Sequence, residues 1–448
     1  MVFFCGYETA ASTEQSPGNP EGISSGKILP SPMHRSREHD GAGHELAEDR
    51  EMTDLFTRNV LHITLTPSGG ACNLSCHYCI LGQKSPPFPR IGSRMPEEVH
   101  DAFMRQLLET CSAPLVNISW QGGEPALAGL EFFEHSLRVQ SRYRGPCTHV
   151  ENIFHTNGTL INERWCEFFH ANDFLVELSM DGPRELHNIY RKDKAGRGTF
   201  HKAFKAFRLL QKNRGRHRIH CSVNRVNGRH PLTVYRFFRD ELQAGNIRFV
   251  PVVELESNDR SSQGKSVTFQ SVRPHQWGRF LVEIFNEWSR QDMGKVSIDN
   301  FDSVLARLLD LPGPLCELRP ACGENMAFDH NGDVYSCIRY MEPARHLGNI
   351  FITPLKDLFE SEKYRQISHD KKNALPGCCR ECAFLSVCNG GCPIDRFAVT
   401  PHRRSGLNYL CAGYRTFFRH SSGVFGVIAE HIREGRPFSP SLSVRAEA

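Results

Sequence analysis

The chain has 448 residues, a formal net charge of +4, 23% charged and 39% hydrophobic residues. That balance is ordinary for a globular protein and gives no basis for a general nucleic-acid binder; no apolar run reaches transmembrane length either, so neither nucleic acid nor membrane is an expected partner. Seventeen cysteines without a secretion signal place the chain in the cytoplasm and point to metal or redox chemistry, not a disulfide framework.

Residues 1–58 are polar, rich in Gly, Ser, Pro, His and Glu, and without apolar periodicity. They read as a disordered leader, with Met33 and Met52 as alternative starts. From Leu61 short β-like runs alternate with helical ones. LHITLTP precedes PEEVHDAFMRQLLE, PLVNISW precedes LEFFEHSLRVQSRY, and NIFHTN precedes NERWCEFFHAN. FLVELSM precedes TFHKAFKAFRLLQKN, RIHCSVNRV precedes PLTVYRFFRDELQ, and IRFVPVVE precedes HQWGRFLVEIFNEWSRQ. Six β-then-α units predict an α/β fold, a parallel sheet with outer helices. Six are fewer than a closed TIM barrel needs, so the expectation is a partial (β/α)6 TIM-like barrel over 59–310. Past Leu311 cysteine, glycine and proline become dense. Such a stretch buries little core without a staple, and a small metal-dependent domain is expected over 311–435. Its last helix runs near Tyr414 to Glu434, and a disordered tail follows over 436–448.

Just after the first predicted strand, Cys72, Cys76 and Cys79 form C-x-x-x-C-x-x-C. Three thiolates in one loop hold three irons of a cubane and leave the fourth iron open. A closed zinc site wants a fourth Cys or His nearby, for which His77 is the only local candidate. After the second strand comes Gly122-Gly123-Glu124, where two glycines allow close backbone approach and the carboxylate can accept from an ammonium group; a Gly-Gly pair is otherwise just a turn. Ser179 and Asp181 end the fourth strand, and Arg191 follows. The alternative there is a plain Asp181-Gly182-Pro183 turn and a solvated arginine. Asn157 and Gly158 after the third strand fit a strand-to-helix turn equally well.

The triad, with Tyr78 directly before its last cysteine, resembles the radical S-adenosylmethionine superfamily. The resemblance implies a 4Fe–4S cluster on Cys72, Cys76 and Cys79 whose open iron takes S-adenosylmethionine, with Gly122, Gly123 and Glu124 holding the methionine amino group. It makes Tyr78, Ser179, Asp181 and Arg191 further cofactor-binding candidates. The C-terminal cysteines resemble a SPASM domain, which carries two more 4Fe–4S clusters, three in all. Carried over by motif, Cys316, Cys322, Cys337 and Cys392 ligate one, Cys379, Cys382, Cys388 and Cys411 the other, and Cys378 is left over. Zinc in the Cys379–Cys382 region is the alternative. Cys5, Cys111, Cys147, Cys166 and Cys221 read as small apolar residues.

WQGGEPALAG, the long stretch from HTNGTLIN to GRGTF and the cysteine-rich tail together resemble anaerobic sulfatase-maturating enzymes. That likeness implies oxidation of a Cys or Ser in a sulfatase to formylglycine, and a reducing flavodoxin or ferredoxin as electron source. There are departures. Ile338 follows Cys337 where the family has an Asp proposed as base, and isoleucine cannot take a proton. Ile80 and Leu81 stand where the family tends to have aromatics. Maturation of a ribosomally made precursor peptide is therefore a second expected class. A non-catalytic electron carrier would need neither the Gly-Gly-Glu turn nor an open-iron triad.

Overall fold

The computed structural model of the protein describes residues 60–79, 81, 94–256, 266–322, 325–400 and 405–436. The leader, the tail beyond Arg436, Cys5 and Ile80 lie outside these residues.

Six parallel strands lie side by side in chain order: β1 (Val60–Leu65), β2 (Leu115–Trp120), β3 (His149–Thr156), β4 (Leu175–Ser179), β5 (His217–Val223) and β6 (Asn246–Pro251). Each precedes a helix, the last being Pro274–Gln291. Leu65, Trp120 and Phe154 are in register across β1–β3, so the loops that follow emerge along one rim. This is the open, partial barrel expected from six βα units. Its helices sit where the apolar periodicity placed them; Leu130–Tyr143, for instance, buries Phe132, Phe133 and Val139. Between helices and sheet, Trp120, Phe133, Phe154, Trp165 and Phe169 make tilted and edge-to-face contacts, neighbouring centroids 4.9–5.6 Å apart. Burying each such ring contributes roughly 1.5–3 kcal/mol.

The sheet does not stop at six strands. A short β7 (Ser297–Ile298) pairs beyond β6. At the other edge β8 (Asn325–Phe328) pairs parallel with β1, and β9 (Asp333–Tyr335) and β10 (His346–Asn349) continue antiparallel, giving ten strands. The cysteine-rich segment is thus sewn into the barrel's own sheet. Just past β1, Thr66 N donates to Phe328 O at 3.0 Å and Thr66 Oγ1 to Asp329 Oδ1 at 2.8 Å.

The last helix, Cys411–Arg433, packs along Pro274–Gln291. The two backbones nearly touch: a Cβ on Gly413 would lie 2.1 Å from Pro274 O, and one on Gly278 2.7 Å from Gly413 O. Only glycine fits at this crossing. Among the described residues no helix is long and apolar enough to cross a membrane.

Candidate active site

The Cys72–Cys79 loop leaves the end of β1 and is clamped from two sides. Ser75 N donates to Lys192 O (2.8 Å) and His77 N to Tyr190 O (3.1 Å); Gly123 N and Glu124 N reach Gly69 O (2.9 Å) and Ala71 O (2.8 Å). A Cβ at Gly122 would lie 2.6 Å from Gly69 O, and one at Gly123 1.9 Å from Ala71 O. The Gly-Gly pair is therefore demanded by two backbones passing in contact, which a simple turn would not require.

The three thiols are partly exposed and near enough that charge on Cys76 or Cys79 raises the pKa of Cys72. Burial is the larger effect: it pushes Cys72 up to about 12 and Cys76 to about 11. Such thiols keep their protons until a cation displaces them, so metal binding releases protons. Cys72 Sγ accepts from Leu74 N (3.4 Å) and, weakly, from Asn157 Nδ2 (3.8 Å), as ligand sulfurs of a cluster do. His77, the local candidate for a fourth zinc ligand, is exposed and rests 5.9 Å from the Tyr190 ring. The donor set fits a cluster with one open iron.

Glu124 is fully buried. Its carboxylate accepts from Thr156 Oγ1 (2.7 Å), Asn157 N (2.8 Å) and Ala126 N (3.2 Å), while burial pushes its pKa up to about 7. Asn157 joins the two motifs, since its side chain also donates to Asn73 Oδ1 at 2.9 Å. A sequence reading as an ordinary turn missed that link.

Ser179 is half-buried at the end of β4. Asp181 and Arg191, by contrast, are buried against each other, Arg191 Nε 3.0 Å from Asp181 Oδ1, and the arginine is not the solvated residue that sequence left open. Asp181 Oδ1 also accepts from Ser222 N (3.1 Å), and Oδ2 from the Tyr78 hydroxyl. The Arg191 guanidinium lies 5.6 Å from the Tyr78 ring centre. Both Asp181 carboxylate oxygens have protein partners, so Asp181 holds Tyr78 and Arg191 in place beside the loop.

The distal cysteines fall into two groups. Cys316, Cys322, Cys337 and Cys392 line one cavity of about 230 Å³. Cys379, Cys382, Cys388 and Cys411 line another of about 120 Å³, joined by Cys378. The structure brings together the two sets of four that the motif suggested. Burial pushes Cys337 and Cys392 up to about 12. Arg396 braces the connecting loop by donating to Gly390 O, Lys371 O and Asn389 O at 2.6–3.0 Å. Arg339 forks onto both oxygens of Asp395 at 3.1 and 2.8 Å. Ile338 packs with Ala327, Tyr335 and Met341 and does not line the cavity, though its neighbours Cys337 and Arg339 do.

The larger cavity also touches the barrel rim at Gln121, His155, His220 and Arg248. Gln121 directly precedes the Gly-Gly-Glu turn. Behind the rim, Glu177 is fully buried and accepts from His220 Nδ1 (2.7 Å) and Arg218 Nη2 (2.5 Å). His155 Nδ1 lies 3.5 Å and Arg248 Nη1 3.7 Å from the same carboxylate. Burial acts to raise the Glu177 pKa, but Arg218, His155 and Arg248 overrule it and hold the carboxyl well below its ordinary value. Sequence reading missed this layer. Its signal was present: each of the apolar runs NIFHTN, FLVELSM, RIHCSVNRV and IRFVPVVE carries a charged or imidazole residue in mid-strand.

Residues 66–231 match the family model described as the radical SAM superfamily, and 316–383 that of an iron–sulfur cluster-binding domain, SPASM. The chain is 37% identical to a serine-type anaerobic sulfatase-maturating enzyme of Bacteroides thetaiotaomicron, over 80% of this chain and 89% of the relative. It is 31% identical to a cysteine-type enzyme of Clostridium perfringens strain 13, over 81% and 96%. Among solved structures, native anSMEcpe with bound AdoMet matches with a TM-score of 0.75 at 31% identity, over 83% of this chain and 99% of that one. The same protein with AdoMet and the Cp18Cys peptide gives 0.74 at 30% identity, over 84% and 100%. A radical enzyme of this kind uses 4Fe–4S clusters and S-adenosylmethionine and acts on residues of a protein or peptide. The chain belongs to the family of anaerobic sulfatase-maturating enzymes, within the radical SAM superfamily and with a SPASM domain.

Proposed function

We propose that this protein oxidises a Cys or Ser side chain of a sulfatase to formylglycine. The observation that carries the reading is the shared cavity: one space is bounded by Gln121, next to the Gly-Gly-Glu turn, and by Cys316, Cys322, Cys337 and Cys392. A substrate side chain there meets both halves of the redox machinery. When bound, the cofactors supply a 5′-deoxyadenosyl radical that takes one hydrogen atom from the substrate β-carbon and a cluster that accepts one electron.

The chain's own residues do the rest. Cys72, Cys76 and Cys79 hold the first cluster, and the bonds from Leu74 N and Asn157 Nδ2 to Cys72 orient it. Gly122, Gly123 and Glu124 receive the methionine amino group, and Ser179 faces the ribose. Tyr78, Asp181 and Arg191 stiffen the wall behind. Cys316, Cys322, Cys337 and Cys392 would hold a second cluster beside the substrate and Cys379, Cys382, Cys388 and Cys411 a third; a reducing flavodoxin or ferredoxin would supply the electron that starts cofactor cleavage. The radical-generating unit spans 59–310 and the cluster-relay unit 311–435, in a cytoplasmic setting that keeps the thiols reduced.

Anaerobically reconstituted protein, incubated with S-adenosylmethionine, a reductant and a peptide containing Cys-x-Pro-x-Arg or its Ser counterpart, should yield an aldehyde product trapped by a hydrazine and seen by mass. Ile338 favours a second reading, side-chain oxidation or cross-linking of a precursor peptide. Cofactor cleavage with the sulfatase peptide left unchanged would select it.

A further inference from the structure

Oxidising CH2–XH to C=X, where X is oxygen or sulfur, removes a hydrogen atom, an electron and a proton. The C–H and X–H bonds break and a C=X bond forms; a thioaldehyde then exchanges with water, releasing hydrogen sulfide. Resting on the maturase reading, the hydrogen atom goes to the cofactor-derived radical and the electron to a cluster on the cysteine-bearing wall. The proton needs an acceptor inside the same cavity. Ile338 offers none and does not line it. Of the two carboxylates nearest to it in sequence, Asp333 is occupied by Asn331, His346 and Asn349 at 2.7–3.0 Å, and neither it nor Glu342 lines the cavity.

Three carboxylates do line it. Asp395 has both oxygens forked by Arg339. Glu317 and Asp370 line it from the cysteine-bearing wall, with no side-chain hydrogen bond among the described residues to orient either carboxylate. The barrel wall presents His220. It is the register partner of Ser179 across β4 and β5, and its side chain is 21% exposed. We propose that His220, oriented by Glu177, accepts the proton that leaves the substrate hydroxyl or thiol. Its Nδ1 donates to Glu177 Oε1 at 2.7 Å, which leaves Nε2 as the acceptor. The buried carboxylate then stabilises the imidazolium that forms. His155, 3.5 Å from the same carboxylate, is too far for a good hydrogen bond and is less firmly oriented. A metal ion on His155, Glu177 and His220 is disfavoured, because Arg218 and Arg248 already neutralise Glu177. Proton and electron thus depart to opposite walls of one cavity.

The test uses the fully reconstituted enzyme and the sulfatase-type peptide. His220→Gln should match wild type in iron content yet form product at least about a hundredfold more slowly, the usual cost of losing a general base. Its ratio of 5′-deoxyadenosine formed to peptide oxidised should rise. His155→Gln should lose less than about tenfold by the same reasoning. Independently of turnover, peptide should shield His220 from carbethoxylation by diethyl pyrocarbonate, read by mass. An active wild type whose His220→Gln variant is equally active, or whose His220 is unshielded, overturns this assignment alone. A wild type inert on the peptide overturns the maturase reading and the assignment with it.

Discussion

In the Cys72–Cys79 loop the thiols are placed by backbone: strand β1 below, the Gly122–Glu124 turn on one side and residues 190–193 on the other. Beyond residue 311 the cysteines are placed by very little regular structure. Strands there have two to four residues, and several helices are single turns. Arginines tied to carbonyls and Asp395 fill the gaps. The first site is shaped by regular strands and close backbone contacts. The second field is held by polar bonds around eight thiols and depends on what those thiols bind.

The contrast breaks most visibly at the ligands. Replacing Cys72, Cys76 and Cys79 together with Ala should abolish cofactor cleavage, lower iron from roughly twelve to roughly eight per chain, and leave the melting profile nearly unchanged. Replacing Cys337 and Cys392 should also remove roughly four irons, but with clear loss of hydrogen-exchange protection across 316–400. Equal effects of the two variants on protection would erase the distinction.

Next in size is the pair behind the first loop. Arg191→Met strands a fully buried Asp181 carboxylate, and such breakage costs about 3–5 kcal/mol, read from urea unfolding. Gly413→Ala, which puts a methyl against Pro274 O, should cost about 1–3 kcal/mol. Because Cys411 begins the same helix, it should also loosen iron in the second distal set and spare the triad.

The smallest effect sharpens the barrel side. Burial, helped by Asp299 and opposed by Ser297, pushes Asp302 up to about 7. A carboxyl whose folded pKa is raised stabilises the fold when protonated, below its unfolded value, and that contribution fades as pH rises through about 7. Asp302→Asn should therefore gain on wild type between pH 4 and 7, by on the order of 1 kcal/mol given its partial solvent contact, measured as the pH dependence of unfolding midpoints.

Much of this was legible in sequence because it is local. The six βα units announce themselves by period, and both distal cysteine sets by motif order. The rest depends on pairing across long separations. Nothing in NMAF reveals that it will lie beside VLHITL, more than 260 residues away. The placement of Arg191 against Asp181, like the convergence of His155, Glu177, His220 and Arg248, is a property of neighbouring strands and loops and not of any one run of residues.

The pairing of β8 with β1 has a further consequence, for solubility and descent. Without β8, strand β1 would present its backbone along a bare sheet edge flanked by Leu61, Ile63 and Leu65, a template for sticking to other chains. The cysteine-rich segment is thus also the seal on that edge. A truncated barrel would be prone to aggregate before its chemistry could be assayed, and a lineage could shed the distal clusters only by covering β1 with something else.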